Sequence, residues 1–302
     1  MAMDDRRLTT ADFDPDVLGL FDQYVHGSLD RRGFLAGASR LLGAAGAAAA
    51  LAALTPRFAA AQQVAPDDPR LHVERVEFAS PAGHGRAGAY LARPARPAGK
   101  LPTVLVAHEN RGLNPHIEDI ARRLATAGYL AFAPDALFPL GGYPGDEDAA
   151  RAKFSTLEQA KVQQDFLAAF DHLAARGEGN GRVGAVGFCW GGGMVNFIAT
   201  QRPSLAAAVP FYGMAAPVEA VPAIRAELLV VLAAKDERIN AGWPAYREAL
   251  EAAGVRHALF QPEGTVHGFN NDTTPRYHES AAKQAWEKML VLFDRTLKVA
   301  AG

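Results

Sequence analysis

The sequence is poor in cysteine, because its 302 residues contain only one, Cys189. A single cysteine excludes an intrachain disulfide and leaves no thiolate cluster for a structural zinc site. A redox-sensing thiol would need a second thiol to resolve it, and the sequence has none. We therefore expect no bound metal, and any role of Cys189 must come from the chemistry of a lone sulfur.

The sequence also lacks an excess of positive charge. It has 31 Lys and Arg residues against 33 Asp and Glu residues, a formal net charge of −2. Proteins that bind nucleic acid usually present a strong basic field, so this composition argues against a nucleic-acid partner. With 49% hydrophobic and 21% charged residues, the chain has the composition of an ordinary globular protein.

No apolar run reaches the length of a typical membrane span. The apolar stretch Leu41–Leu54 is shorter than the roughly 20 residues that a transmembrane helix needs. It follows the pair Arg31-Arg32 and precedes Ala59-Ala60-Ala61, which is the order of a twin-arginine export signal with a small-residue cleavage site. We predict that residues 1–61 are this signal within a disordered N-terminus, and that the mature protein is periplasmic or secreted.

Two alternatives stay open for this segment. It is either an amphipathic N-terminal helix of the domain or an anchor that is not cleaved. Twin-arginine export carries folded proteins, which suits a chain with a reactive thiol and no disulfide. The export machinery is then a predicted partner of the N-terminal signal.

The remaining residues, 62–302, alternate between strand-like and helix-like patterns. This alternation predicts one α/β domain, with a mostly parallel sheet and helices on both of its faces. A glycine-rich turn at 80–85 predicts that the first two strands form a hairpin. The predicted strands are 73–78, 87–91, 103–107, 129–133, 183–188, 206–211, 228–233 and 257–260, and the predicted helices are 117–127, 147–176, a helix ending near 201, 243–253 and 278–298.

Cys189 lies at the centre of Gly187-Phe188-Cys189-Trp190-Gly191, directly after the predicted strand. This is the nucleophile-elbow pattern, in which a sharp strand-to-helix turn leaves room only for small residues two positions to either side. The backbone N–H of Trp190 then lies at a helix N-terminus, where it can stabilise an oxyanion. The alternative is a buried free cysteine beside a glycine-rich turn.

Two further residues follow later predicted strands in the order of a catalytic triad. Asp236 comes after strand 228–233, and His267 comes after strand 257–260. The order nucleophile, acid, histidine is that of α/β-hydrolases. His267 can accept the thiol proton and protonate the leaving group, while Asp236 orients the imidazole. Taken singly, Asp236 could be a turn residue, and the sequence has eight other histidines.

The loop after strand 103–107 reads His108-Glu109-Asn110-Arg111-Gly112. In this fold the corresponding loop supplies a second oxyanion donor, here the backbone N–H of Asn110. Glu109 is a candidate switching acid that holds the resting thiol and imidazole in a less reactive arrangement. The alternative is a surface glutamate that pairs with Arg111 or Arg122, and His108 could instead pack against the elbow.

Together these motifs resemble the dienelactone hydrolase (carboxymethylenebutenolidase) family, over roughly Val73 to Leu297. The resemblance implies a small, often monomeric hydrolase of small-molecule esters or lactones that uses a Cys-Asp-His triad and no cofactor. It places Cys189, Asp236 and His267 in the triad and Glu109 as the switching acid. The motifs are His108-Glu109-Asn110-Arg111-Gly112, Ala133-Pro134-Asp135, Gly187-Phe188-Cys189-Trp190-Gly191-Gly192, Lys235-Asp236 and His267-Gly268-Phe269.

One departure concerns the substrate. Family members that act on dienelactone grip its carboxylate with arginines, and at the corresponding places this sequence has 137–140 and 269–271, which contain no arginine. Arg111 or Arg276 could substitute from another direction. The alternatives are a thioesterase or peptidase with the same triad, or an exported binding protein without turnover. The predicted aromatic pocket residues are Phe138, Tyr143, Trp190, Tyr212 and Phe269.

Overall fold

The computed structural model describes residues 6–298, and an eight-stranded sheet forms its centre. The strand order is β1-β2-β4-β3-β5-β6-β7-β8; β2 pairs antiparallel with β1 and β4, and the remaining pairs are parallel. The predicted hairpin and parallel sheet are therefore confirmed. The strands are β1 Leu71–Ser80, β2 Gly85–Pro94, β3 Leu101–Ala107, β4 Leu130–Asp135, β5 Gly179–Phe188, β6 Leu205–Phe211, β7 Glu227–Val231 and β8 His257–Phe260.

Ten α-helices lie within the described residues. Helices α4 and α10 pack on one face of the sheet, and α5, α6, α7 and α9 pack on the other. The helices are α1 Pro15–His26, α2 Arg31–Leu54, α3 Phe58–Ala61, α4 Pro115–Thr126, α5 Glu147–Ser155, α6 Gln159–Ala174, α7 Trp190–Gln201, α8 Glu237–Asn240, α9 Trp243–Ala252 and α10 Glu279–Leu297.

The central strand β3 shows why the predicted apolar runs become strands covered on both faces. All seven of its residues are buried. Leu105 and Ala107 join the apolar cluster on one face, whereas Val104 and Val106 join the cluster on the other. Successive side chains of a strand point to opposite faces, so a continuous apolar run fits only a strand with helices on both sides.

The structure differs from the prediction at residues 147–176, where two helices replace one. Helix α5 ends near Thr156, whose backbone N–H and hydroxyl both donate to the carbonyl of Lys153. A threonine that satisfies a free carbonyl in this way favours a helix end. The four-residue helix α8 was not predicted, because it is too short to show a helical period.

Residues 15–61 contain three helices, so the predicted disorder of the N-terminal segment differs from the structure. Asp14 and Asp30 cap the first turns of α1 and α2, and Gly27, at φ 84°, ends α1. The two helices share a separate apolar cluster built from Val17, Phe21, Tyr24, Phe34, Ala38, Ala47, Ala50, Leu51 and Leu54. The assignment of residues 1–61 as an export signal, and with it the domain boundary at residue 61, stays a prediction.

Helix α2 contains the apolar stretch of the predicted signal. It has 24 residues with a mean hydropathy of 1.4, which is long and apolar enough to cross a membrane by length and composition alone. Only 28% of its most apolar window is buried, and Gly43, at φ 73°, kinks it. A signal sequence near the N-terminus has the same properties, so α2 is compatible with both the export signal and the uncleaved anchor.

Candidate active site

The backbone at Cys189 has the strained conformation expected of a nucleophile elbow. Cys189 connects β5 to α7 with φ 55° and ψ −114°, a positive φ that is rare for a residue other than glycine. A Cβ on Gly187 would lie 2.1 Å from the carbonyl oxygen of Gly191, and one on Gly191 would lie 2.3 Å from that of Ala107. The two flanking glycines are therefore required by close backbone approach, as the motif predicts.

We expect Gly191→Ala to lower the free energy of unfolding by about 3 kcal/mol, since the new methyl group would displace backbone atoms at the end of β3. Gly193→Ala is the matched control in the same helix, because its Cβ would meet no atom closer than 3.6 Å. Urea unfolding of both variants checks the prediction. Equal stabilities would show that the elbow tolerates a side chain at position 191.

His267 and Asp236 form a buried pair at the ends of neighbouring strands. Nδ1 of His267 lies 2.5 Å from Oδ2 of Asp236, and the residues are 5% and 6% exposed. The two loops are tied together because Thr265 accepts from the backbone N–H groups of Ala234 and Lys235. The second carboxylate oxygen of Asp236 caps α8 by accepting from the N–H of Ile239 at 3.3 Å.

Cys189 reaches the same point in space. The sulfur of Cys189 and one ring nitrogen each of His267 and His26 all lie within 4.8 Å of one another. Nε2 of His267, the nitrogen not used by Asp236, is buried and has no hydrogen-bond partner among the described residues. The structure therefore brings Cys189, Asp236 and His267 together and adds His26, which the sequence did not indicate.

The electrostatics favour a thiolate and an imidazolium. Burial alone would raise the pKa of the Cys189 thiol, but the charge of His267 and the proximity of His26 lower this pKa below its ordinary value of 9.0. Burial would lower the pKa of His267, and the Cys189 thiolate and the Asp236 carboxylate raise it instead. An opposite charge within a few ångströms stabilises the charged form of each group.

This pair predicts a pH profile with two limbs. We expect kcat/KM to fall as the pH drops through the lowered pKa of Cys189, which protonates the thiolate, and to fall as the pH rises through the raised pKa of His267, which removes the imidazolium. Alkylation of Cys189 by iodoacetamide measures the first limb directly. In His267→Ala the midpoint of alkylation should move upward; an unchanged midpoint would show that the imidazolium does not stabilise the thiolate.

His108 is a structural tie that packs against the elbow. Its Nε2 accepts from the N–H of Ala136, so its Nδ1 donates to the carbonyl of Glu109 at 2.6 Å. Burial lowers the pKa of His108 to about 4, which keeps the ring neutral. The ring stacks on Trp190 with centroids 5.3 Å apart, so His108 joins the loop after β3, the end of β4 and the elbow.

Glu109 and Asn110 lie at the same strand end. Oε2 of Glu109 accepts from the side-chain amide of Asn271 at 2.9 Å, while Arg111 pairs with Glu147 instead. The structure therefore does not show the alternative, in which Glu109 pairs with Arg111 at the surface. Glu109 does not pair with Arg122 either, because Arg122 pairs with Asp119. The switching role of Glu109 and the oxyanion roles of Asn110 and Trp190 stay predictions.

The structure separates the predicted pocket aromatics. Tyr143 and Tyr212 line the hollows beside Cys189, and the Tyr212 ring lies 4.9 Å from that of His267. Phe138 and Phe269 are not among the described residues that line those hollows. Phe138 packs on Gly88 of β2, and Phe269 is fully buried 5.7 Å from Tyr212. Sequence reasoning could not separate pocket aromatics from core aromatics.

Two hollows meet at Cys189. The inner cavity, about 250 Å³, is lined by Phe21, Tyr24, Val25, Arg31 and Phe58 of the N-terminal segment, and by Glu109, Arg111, Cys189, His267 and Arg276. The outer groove, about 770 Å³, is largely apolar and includes His26, Phe154, Cys189, Trp190, Phe197, Tyr212 and Met214. Three arginines thus reach the inner cavity, which the carboxylates of Glu109, Asp146, Glu147 and Asp148 also line, although no arginine stands at the two places where the family carries them.

Imidazole and thiolate groups are common metal ligands, and the cluster of His26, Cys189 and His267 has the spacing of a possible metal site. However, Nη2 of Arg238 lies 3.0 Å from Nε2 of His26 and donates to its lone pair. A guanidinium beside the site repels a cation and occupies one of the three ligands. The arrangement is therefore suited to acid–base and nucleophilic chemistry.

Comparison with known proteins adds an independent line of evidence. The model of the dienelactone hydrolase family matches residues 87–297, and a second model, described as YqhI-like, matches residues 4–44. A carboxymethylenebutenolidase-like protein of Salmonella typhi is 36% identical over 220 residues, which is 68% of this chain and 81% of its own. The Escherichia coli hydrolase fragment YghX is 54% identical over 98 residues, 32% of this chain and 84% of its own.

Solved structures agree with the sequence relatives. A dienelactone hydrolase-like protein from Klebsiella pneumoniae superposes with a TM-score of 0.65 at 33% identity, covering 74% of this chain and 99% of its own. The family model spans the sheet from β2 to β8 and includes Cys189, Asp236 and His267. The chain therefore belongs to the dienelactone hydrolase family, has an α/β-hydrolase fold, and is a hydrolase that acts on carboxylic ester or lactone bonds.

Proposed function

We propose that the chain hydrolyses its substrate through a Cys189-His267-Asp236 triad and a thioacyl-enzyme. The observation that carries this proposal is the strained Cys189 at the elbow, next to an imidazole that a buried carboxylate orients at 2.5 Å. A thiolate is the nucleophilic form of cysteine, and the neighbouring imidazolium lowers its pKa.

In the first half-reaction the Cys189 thiolate attacks the substrate carbonyl carbon and forms a carbon–sulfur bond. The carbonyl electron pair moves to the oxygen, which the N–H groups of Trp190 and Asn110 stabilise as an oxyanion. When the oxyanion collapses, the carbon–oxygen bond to the leaving group breaks, and the His267 imidazolium donates its proton to the departing alkoxide. A thioester on Cys189 and a neutral His267 remain.

In the second half-reaction His267 accepts a proton from water, and the resulting hydroxide attacks the thioester carbonyl. The second oxyanion occupies the same donor site. Its collapse breaks the carbon–sulfur bond, which releases the carboxylic acid and regenerates the thiolate beside an imidazolium. Asp236 stays ionised throughout and holds His267 in the tautomer that both steps require.

We further propose that the substrate carries a negative group. The Nε–H group of Arg276 is buried and has no hydrogen-bond partner among the described residues, and Arg276 lines the inner cavity with Cys189. A guanidinium recognises a carboxylate with well-defined geometry, so a free donor at the cavity wall favours an anionic ligand. Glu109 remains our candidate for the switching acid of this site.

Trapping the acyl-enzyme tests the proposal. After brief reaction with an activated ester, intact-protein mass spectrometry should show one acyl adduct that is absent from Cys189→Ala. An exported binding protein would give no adduct and no turnover. Comparing kcat/KM on matched ester, lactone, thioester and peptide substrates separates the proposed hydrolase from a thioesterase or peptidase.

We also propose that residues 1–61 direct export through the twin-arginine machinery and that the mature protein is a periplasmic or secreted monomer. The support is the order of Arg31-Arg32, the apolar stretch in α2 and Ala59-Ala60-Ala61. Replacing Arg31 and Arg32 by lysine should keep the protein in the cytoplasm, as measured by cell fractionation. Undiminished export of that variant would contradict the proposal. Sedimentation of the exported form measures its oligomeric state.

A further inference from the structure

The N-terminal segment of residues 6–61, termed the cap here, places one of its side chains directly on the catalytic pair. Nε2 of His26 lies 3.9 Å from Sγ of Cys189, and the His26 ring meets that of His267 edge-on with centroids 4.6 Å apart. His26 is held there at both nitrogens, because its Nδ1 contacts the carbonyl of Asp22 at 2.8 Å and its Nε2 accepts from Arg238.

The end of α1 binds to the loop that is proposed to carry the oxyanion donor. The carbonyl oxygen of Val25 accepts from the side-chain amide of Asn110 at 3.1 Å and from both terminal nitrogens of Arg111 at 3.2 Å. Arg151 donates to the carbonyls of Tyr24 and Leu29. The last carbonyls of a helix lack partners within it and carry partial negative charge, so these guanidinium groups both satisfy and stabilise the end of α1.

Other docking contacts of the cap are also polar. The Tyr24 hydroxyl donates to Asp148, Arg31 pairs with Asp148 at 3.3 Å, and the N–H of Arg57 donates to the carbonyl of Thr273 at 2.8 Å. In contrast, the apolar cluster of α1 and α2 contains cap residues only and is distinct from the two clusters that cover the sheet. The cap therefore has an apolar cluster of its own and binds the catalytic part mainly through charges and hydrogen bonds, with one edge-on ring contact between Phe58 and Tyr143. Such an interface can open without exposing a core.

His26 narrows the space beside the attacking sulfur. A carbonyl carbon must come within about 3–3.5 Å of that sulfur, and Nε2 of His26 already lies 3.9 Å from it. The free nitrogen of His267, which must reach the leaving group and water, is sealed from solvent. The inner cavity, at about 250 Å³, is smaller than the roughly 300 Å³ at which ligand pockets usually begin, and the larger outer groove reaches Cys189 with His26 in its lining.

We propose that the cap is an intramolecular inhibitor that closes the catalytic centre by placing His26 over Cys189 and His267. Displacement of the cap, or its loss by cleavage after residue 61, opens the centre and frees Asn110 and Arg111 of their contact with Val25. The proposal depends on Cys189 being the nucleophile of the proposed function, but its test measures access to the thiol and requires no turnover.

The first test is the rate of Cys189 alkylation by iodoacetamide in the full chain, measured over a pH series. The plateau at high pH reports access to the thiolate, and the midpoint reports its ionisation, so the two effects of His26 are separated. We expect His26→Ala to raise the plateau roughly tenfold, since a closed state commonly leaves about 0.1–10% of molecules open. His72→Ala, an exposed histidine of β1 away from the site, is the matched control and should equal the parent.

The second test removes the whole cap from the folded protein. A protease site placed in the exposed turn at residues 65–67 allows cleavage after folding, and gel filtration at raised salt, which weakens the ionic contacts, separates the released cap. We expect roughly tenfold or greater acceleration of alkylation, with a larger factor for a bulky fluorescent iodoacetamide than for iodoacetamide itself. Hydrolysis of an activated ester should increase in parallel.

The outcomes discriminate between the two proposals. Equal plateau rates in the parent, His26→Ala and the cleaved protein would overturn the inhibitory role of the cap. Slower alkylation after cleavage would overturn it too, and would indicate that the cap completes the site. Faster alkylation without any ester hydrolysis would support the cap while contradicting the proposed catalytic function.

Discussion

Replacement of Cys189 by alanine is expected to reduce kcat for an activated ester on the order of 10⁵-fold or more. The substitution removes the only thiol of the chain and with it the atom that forms the acyl intermediate. His267, Asp236 and the backbone donors remain in place, but without a nucleophile they can only assist attack by water. In other triad enzymes, loss of the nucleophile costs about as much as loss of the whole triad, because its members act as one unit.

Cys189→Ser provides the companion measurement. It keeps a hydroxyl at the same strained position, but a hydroxyl does not ionise near neutral pH, so the ion pair that stabilises the resting thiolate is lost. We expect weak residual hydrolysis and a markedly lower pKa of His267, which NMR can follow. Thermal unfolding of both variants controls for folding. Full activity of Cys189→Ala would refute the covalent mechanism and direct attention to the binding alternatives.

Asp236→Asn is expected to lower kcat by roughly 10⁴-fold, the size of effect known when the triad acid loses its charge. The carboxylate now accepts from Nδ1 of His267 at 2.5 Å. An amide nitrogen in that position would donate instead, which turns the imidazole to the tautomer with its proton on Nε2. His267 could then no longer accept a proton from water, and its pKa would lose the support of the carboxylate charge.

This variant offers a clean comparison because asparagine can keep the other contact of Asp236. Its side-chain oxygen can still accept from the N–H of Ile239, so the first turn of α8 should survive. The readout is kcat together with the midpoint of Cys189 alkylation, which should move to higher pH as the imidazolium weakens. If kcat fell while the midpoint stayed constant, a structural change in the loop would explain the loss better than the charge.

Most of the sheet and its order of elements were predictable from sequence because buried strands and their breakers leave local patterns. The apolar run that became β3 and the glycine-flanked elbow at Cys189 are examples. Helix boundaries near Thr156 and the short helix α8 were not predictable, since one side-chain hydrogen bond or one capped turn decides them. The same limit applied to Phe138 and Phe269. An aromatic residue can line a pocket or pack in a core, and these two pack away from the hollows beside Cys189.

The meeting of the three proposed catalytic residues at one place was predictable for a different reason. Cys189, Asp236 and His267 each follow a strand, and the carboxyl ends of parallel strands meet at one edge of the sheet. His26 and Arg238 escaped this reasoning, because His26 reaches the site from 163 positions away through the docking of a separate helical segment. Its local sequence, within a predicted export signal, contains no indication of that contact.

The sequence by itself determined the local features of the candidate site and the class of fold: a lone thiol at a tight turn, an acid and a histidine in hydrolase order, and a layered α/β sheet. These features are local, because each depends on a few neighbouring residues and on the period of the chain. Only the tertiary structure decided what surrounds the thiol. The position of His26, the arginines of the inner cavity and the contact between Val25 and Arg111 depend on packing between distant segments, and no local pattern specifies which surfaces dock.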